Sequence, residues 1–265
     1  MRIYNPEGSA LRECQKQMLK VLERFAQICK EHNIKWWLCY GTLLGAARHG
    51  GFIPWDDDID VSMTRKEYKK LKKILINLKD DEYVFQCIET DPDYVNMFGK
   101  FRVKNTQGES VSKRAKYYKY NGVHIDVFCI EESNQFAANA AKFFYYQMVY
   151  PSIYIKNSFW RHAAIRSAQA LNFGLLIPLC RLIGWINPKK QCHCQLGTVF
   201  YKDVFYKEHI FPLTTIKFEG IEFPAPGNTD AYLTSLYGDW RKLPSEDDIR
   251  RSLHSPVYIK EIFGE

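Results

Sequence analysis

The chain has 265 residues, of which 46% are hydrophobic and 25% charged, a balance that supports a substantial buried core and excludes wholesale disorder. Its formal net charge of +7 suits an anionic partner such as a nucleotide, a phosphorylated glycan or an acidic membrane surface, without choosing among them. One catalytic unit over residues 1–265, carrying a helical insertion at about 134–200, is the expected organisation.

The stretch from Met1 to Gly8 lacks an apolar signal-peptide region, so residence in the cytoplasm is expected. Leu11, Cys14, Met18, Leu22, Phe25 and Cys29 recur every three or four residues, which predicts an amphipathic helix ended by His32-Asn33. Ile34 to Cys39 reads as a short strand followed by a tight turn at Gly41. Thr64 and Glu67 form a capping-box pattern ahead of a helix from Arg65 to Asn77. Tyr83–Ile88, Met97–Val103 and Val123–Ile130 read as strands, which gives an α+β body with a mixed sheet flanked by helices.

After Ser133 the character changes. Two helical patterns, Gln135 to Tyr150 and Ser158 to Gly184, carry many aromatics and few acids and form the expected insertion. Within it residues 173–186 are strongly apolar but too short to span a bilayer and are interrupted by Pro178 and Arg181. A buried core helix is the first reading. The second is an interfacial helix on the inner membrane face, with Arg161, Arg166, Arg181, Lys189 and Lys190 near lipid phosphates. The eight cysteines sit mostly in apolar runs and read as buried, reduced thiols. Cys192-His193-Cys194 could begin a zinc site, but no second Cys or His pair follows at the usual spacing.

Three constellations carry chemistry. Gly41 to Val61 sets a small-residue run ahead of Asp56, Asp57, Asp58 and Asp60. Four neighbouring carboxylates are tolerated best when a divalent cation neutralises them. Asp58 and Asp60 share one face if Ile59 is in a strand, and can hold Mg²⁺ or Mn²⁺ through oxygen, while Gly41 and Thr42 admit a phosphate. In Val123-His124-Ile125-Asp126-Val127-Phe128, Asp126 lies mid-strand on the face of His124 and is a third metal ligand or the general base. In Lys100-Phe101-Arg102-Val103-Lys104 the cations alternate onto one strand face and can line a phosphate groove. No nucleic-acid module is present, so nucleic acid is not an expected partner.

The run from Gly41 through Arg48-His49, Gly51-Phe52-Ile53-Pro54-Trp55 and Asp56 to Val61 resembles the signature of the LicD family, to which fukutin and fukutin-related protein belong. Phe218-Glu219-Gly220, Phe223-Pro224-Ala225-Pro226, Leu236-Tyr237-Gly238-Asp239-Trp240 and Leu243-Pro244 resemble that family's closing motif. The resemblance implies a nucleotidyltransferase-type fold and transfer of a phosphorylated alcohol, phosphocholine first among them, from a CDP-linked donor. The acceptor it implies is a hydroxyl of a cell-surface glycan, such as teichoic acid or lipopolysaccharide, or a lipid-linked precursor, and CMP is the leaving group. By position Asp58 and Asp60 match the metal-binding pair, Asp56 an accompanying acid and Asp126 the acid of the later strand. Animal members carry a zinc-binding insertion, which this sequence does not clearly show.

The expected site therefore comprises Asp56, Asp58, Asp60 and Asp126 for catalysis, with Asp58, Asp60 and Asp126 on the metal. Gly41, Thr42, Arg48, His49, Lys100 and Arg102 are expected to bind nucleotide or phosphate. A quaternary ammonium needs an aromatic face, for which Trp55, Tyr40 and Tyr237 are the candidates. The alternatives are nucleotidyl transfer to a glycan and a non-catalytic nucleotide or glycan binder.

Overall fold

The computed structural model describes residues 4–106, 113–186, 188–189, 191–200, 202–253 and 255–264. Met1 to Ile3 of the N-terminal stretch and Lys190 lie outside the described residues. Ser9 caps α1 (Ala10–Glu31) by accepting the Arg12 N–H, and the helix buries Leu11, Gln15, Met18, Leu22 and Phe25 along one stripe. There follow β1 (Trp37–Leu38), α2 (Tyr40–His49), β2 (Asp60–Thr64), α3 (Arg65–Leu75), β3 (Tyr83–Gln86), β4 (Gly99–Val103) and β5 (His124–Glu132). The helical layer comprises α4 (Gln135–Met148), α5 (Ser158–Leu171) and α6 (Ile177–Gly184). The chain then returns through β6 (Gln191–Cys194), β7 (Val204–Tyr206) and α7 (Lys207–Ile210) to a hairpin, β8 (Thr214–Phe218) and β9 (Ile221–Ala225). Helices α8 (Thr229–Tyr237), α9 (Glu246–Ser252) and α10 (Pro256–Phe263) close it.

The fold is α+β, as expected. Seven strands form one mixed sheet in the order β1-β2-β5-β4-β3, with β6 pairing on β5 and β7 on β6. The long strand β5 is the spine: β2 runs parallel to it, and β4 and β6 antiparallel. One apolar cluster holds Phe25, Trp37, Val61, Phe101, Ile125 and Val127. A second lies under the helical layer around Val95, Ala141, Tyr145, Ile165 and Ile177.

Two expectations are corrected. The turn at Gly41 is instead the first turn of α2, because the small residues here serve close packing of a helix rather than a loop. A Cβ on Gly45 would stand 2.5 Å from the Gly51 carbonyl oxygen, so only glycine lets the 50–53 loop fold back on α2. The reversal itself falls at Gly50, in the left-handed region at φ 73°. The apolar segment 173–186 forms part of the helix expected from Ser158 to Gly184, but that helix is not too short to span a bilayer. Through a π-helical turn at Asn172–Leu176 it continues α5, giving an unbroken helix from Ser158 to Gly184, 27 residues long and apolar enough by length and composition to cross a membrane. Nor is it a core helix: Leu171, Leu175, Leu179 and Leu182 face outward. The sheet is rejoined at Gln191, so the helical part of the insertion ends before 200.

The capping box of α3 is half formed. Thr64 Oγ1 accepts the Glu67 N–H at 3.4 Å, but the Glu67 carboxylate accepts the Lys35 N–H instead of turning back.

Candidate active site

The register of the parallel pair decides the site. Asp60, the first residue of β2, lies beside Asp126, the third of β5, and the Asp126 N–H donates to the Ile59 carbonyl at 2.7 Å. Both aspartates are only 8% exposed. Thr42 in the first turn of α2 fixes the arrangement from behind, its Oγ1 accepting the buried Asp60 N–H at 2.7 Å. Asp56 arrives on the loop ahead of β2. Its carbonyl accepts a hydrogen bond from the fully buried Gln15 of α1 at 2.9 Å, and its carboxylate lies so close to Gly41 that a Cβ there would stand 2.8 Å from Oδ2.

The loop is held by a residue of the closing motif to which the sequence reading gave no role. Glu219, in the β8–β9 turn and left-handed at φ 52°, accepts the Phe52 N–H at 3.1 Å and pairs with Arg12 of α1 at 2.7 Å. Gln15 was missed too, although its signal was present: a polar residue at helical spacing between Leu11 and Met18, on the apolar stripe.

The electrostatics are those of excess buried negative charge. Burial, then the charge of Asp58, then that of Asp126, hold the Asp60 carboxyl well above the ordinary carboxylate range. Burial and the neighbouring Asp58 and Asp57 do the same to Asp56. Asp57 itself also lies within electrostatic reach of Cys14 and Tyr258, on the α1 and α10 side. One cation is supplied from within: Lys100 of β4 donates to Asp126 Oδ1 at 2.5 Å, and burial lowers its pKa despite that partner. His124 Nε2 stands 3.3 Å from the same oxygen and 2.7 Å from Lys100 Nζ, on the shared strand face.

These acids fit a divalent cation by chemistry: hard oxygen donors from two strands and a loop, with more negative charge than Lys100 offsets. They are not a closed cage. Among the described residues no three acid, histidine or thiol side chains converge tightly enough to hold an ion as they stand, since like charges repel and Lys100 takes one oxygen of Asp126.

The remaining expected residues divide. Arg48 donates to the Trp240 carbonyl at 3.1 Å and lies in the field of Tyr237 and Asp56, so it ties α2 to the closing motif at the rim of the acids. Its neighbour His49 stacks edge-on to Trp55. Arg102 is brought beside His124 but spends its guanidinium on Gln86 and the Gly122 carbonyl, and is buried, not a solvated strand residue. Trp55 is buried against Tyr4. Tyr40 is enclosed by Phe128, Phe200 and Phe205, with its hydroxyl donating to Asp203. Tyr237 is different: 42% of the residue's surface is exposed, while desolvation of its hydroxyl, then the charges of Asp60 and Asp56, raise its pKa. An aromatic not foreseen, Phe98, lies under Lys100 Nζ at 5.4 Å and against Phe128. In β6, Cys192 and Cys194 share one face and His193 takes the other, which separates the three groups as zinc ligands.

A mixed sheet whose parallel pair sets two aspartates side by side, backed by a helix start and flanked by a strand lysine, defines a nucleotidyltransferase-type catalytic domain. A family model described as LicD/FKTN/FKRP, nucleotidyltransferase domain, matches residues 33–170, and the chain belongs to that family. It is 29% identical to the lipopolysaccharide cholinephosphotransferase LicD of Haemophilus influenzae, over 96% of this chain and 97% of that protein. It is 44% identical over 54 residues to the human ribitol 5-phosphate transferase FKRP, a match to 20% of this chain and 10% of that protein. An uncharacterised protein of Rickettsia prowazekii, RP689, is 45% identical over 49 residues, or 18% of each chain.

Proposed function

We propose that this protein is a metal-dependent phosphotransferase that moves a phosphorylated alcohol, phosphocholine first among them, from a CDP-linked donor to a hydroxyl of a glycan or its lipid-linked precursor. The reading rests on one observation above the others: Asp60 and Asp126 are paired in register on parallel strands, beside Lys100, in a chain related along nearly its whole length to a cholinephosphotransferase.

A bond forms between the acceptor oxygen and the phosphorus bearing the alcohol, the bond from that phosphorus to the CMP oxygen breaks, and CMP leaves with the electron pair. Asp58, Asp60 and Asp126 would hold Mg²⁺ or Mn²⁺, which when bound supplies charge neutralisation on the phosphate oxygens. Asp56, held beside Gly41 on the loop that Gln15 anchors, takes the acceptor's proton. Lys100 steadies Asp126 and lends positive charge to the transferring group. Tyr237 is the aromatic face placed to meet a quaternary ammonium, being exposed within reach of the acids. On this reading the protein works in the cytoplasm.

Product analysis tests the reading. Purified protein with CDP-choline, CDP-ethanolamine, CDP-glycerol or CDP-ribitol, Mg²⁺ and a glycan acceptor is expected to release free CMP with one of them. A nucleotidylated glycan, or no turnover with any donor, contradicts it.

A further inference from the structure

The helical layer presents an apolar surface that the catalytic chemistry does not use. Along the unbroken helix from Ser158 to Gly184 the inward face is made by Arg161, Ile165, Ala168, Asn172, Ile177, Cys180 and Gly184. The five-residue step from Asn172 to Ile177 is the π turn, and it turns Leu171, Leu175, Leu179 and Leu182 outward as one stripe, Leu182 with 55% of its surface exposed. Tryptophans bracket the stripe: Trp160 at its start is 63% exposed and Trp185 at its end 78%. Helix α4, packed on α6, adds exposed Phe136 and Phe143. A soluble protein seldom leaves such a face to water.

Charge identifies the partner. Residues 133–202 contain eight Lys or Arg and not one Asp or Glu, so this segment carries all of the net charge of +7. Arg161 and Arg181 are paired with Asp93 and Glu131 of the body, which pins the helix along the body at both ends. Lys156, Arg166 and Lys189 are exposed. Near α4 a groove of about 520 Å³ is lined by Lys142 and Lys202 with Phe143, Gln135 and Asn139.

We propose that the insertion is a docking face for an anionic phospholipid surface, with the helix lying in the plane of the headgroups. Apolar side chains enter the acyl boundary, tryptophans sit at the headgroup level and the cations meet lipid phosphates. A spanning arrangement is excluded by packing, because only one side of the helix is open and both ends are tied to the sheet domain. A second copy of the chain would bring exposed cations such as Lys156, Arg166 and Lys189 against their own like charges, which disfavours that occupant.

Vesicle co-sedimentation with the full chain tests this without reading transferase activity, so its failure leaves the proposed reaction standing. Vesicles with about a third phosphatidylglycerol are expected to pull down the protein at least tenfold more strongly than phosphatidylcholine vesicles, and 0.5 M NaCl is expected to weaken the binding. Replacing Leu175, Leu179 and Leu182 together by Asp should abolish binding while the circular dichroism spectrum and melting temperature stay unchanged. Should that variant misfold, the single change Trp185→Ser reads the same face with a smaller loss. The proposal is overturned if the wild type stays in the supernatant, if the folded variants bind as well as wild type, or if the face instead holds a dimer in sedimentation velocity that Leu182→Asp dissolves.

Discussion

Asp60 carries two burdens at once: it is buried and it faces three other carboxylates. Its raised pKa means that the native state holds a proton where the unfolded chain has already lost it. Native stability therefore falls as pH rises above the ordinary carboxylate pKa, through the window up to the raised one. Asp60→Asn removes that contribution. The expected outcome is a melting temperature at pH 8 equal to or above that of wild type, a shallower pH dependence of melting between pH 5 and 8, and loss of transfer. A variant that melts well below wild type at pH 8 contradicts the charge argument. Lys100 shows why one sequence-level expectation needed refinement. It alternates with Arg102 along β4, yet the first reaches Asp126 and the second closes on Gln86 and Gly122. Strand periodicity gave their common side and could not reveal which partners lay there, since those come from β5 and β3 and from the turn before β5.

At the scale of elements, what was legible followed from local pattern. The stripe of α1, the cap of α3 and the apolar runs of β3, β4 and β5 are properties of neighbouring residues, and the structure has a helix or strand at each. Helix α2 was misread because Gly41 and Gly45 signal a turn by composition, whereas here they serve contacts with Asp56 and with the 51–53 loop that exist only after folding. The strands β6 and β7 went unread because they are short, and the β8–β9 hairpin because Pro224 in its second strand argues against a strand by pattern. Gly45→Ala tests the packing account: a Cβ 2.5 Å from the Gly51 oxygen and 2.9 Å from the Ile53 nitrogen meets backbone on both sides. The expected loss is about 1–3 kcal/mol in chemical denaturation. Gly174→Ala, where nothing lies within 4 Å, should cost nothing measurable. Equal effects at the two positions would refute the account.

The whole molecule joins a sheet that gathers acids to a helical layer that gathers cations. The acids come from a loop, from β2 and from β5, about 70 residues apart in sequence. Their meeting depends on the parallel pairing, which no local pattern specifies; Asp126 was foreseen as a partner of Asp58 and Asp60, but the pairing of Asp60 against Asp126 on parallel strands was not. The charge asymmetry of the chain was visible in composition, but the outward face of the long helix was not, because an apolar helix reads alike whether it meets a core or a bilayer.

The most direct test of this arrangement is Mn²⁺ titration followed by electron paramagnetic resonance on the wild type and on Asp60→Asn, Asp126→Asn and Asp57→Asn. One site per chain is expected, weakened at least tenfold by the first two substitutions and unchanged by the third. Undiminished binding in Asp126→Asn, or no specific site in the wild type, would contradict the claim that two strands share one cation.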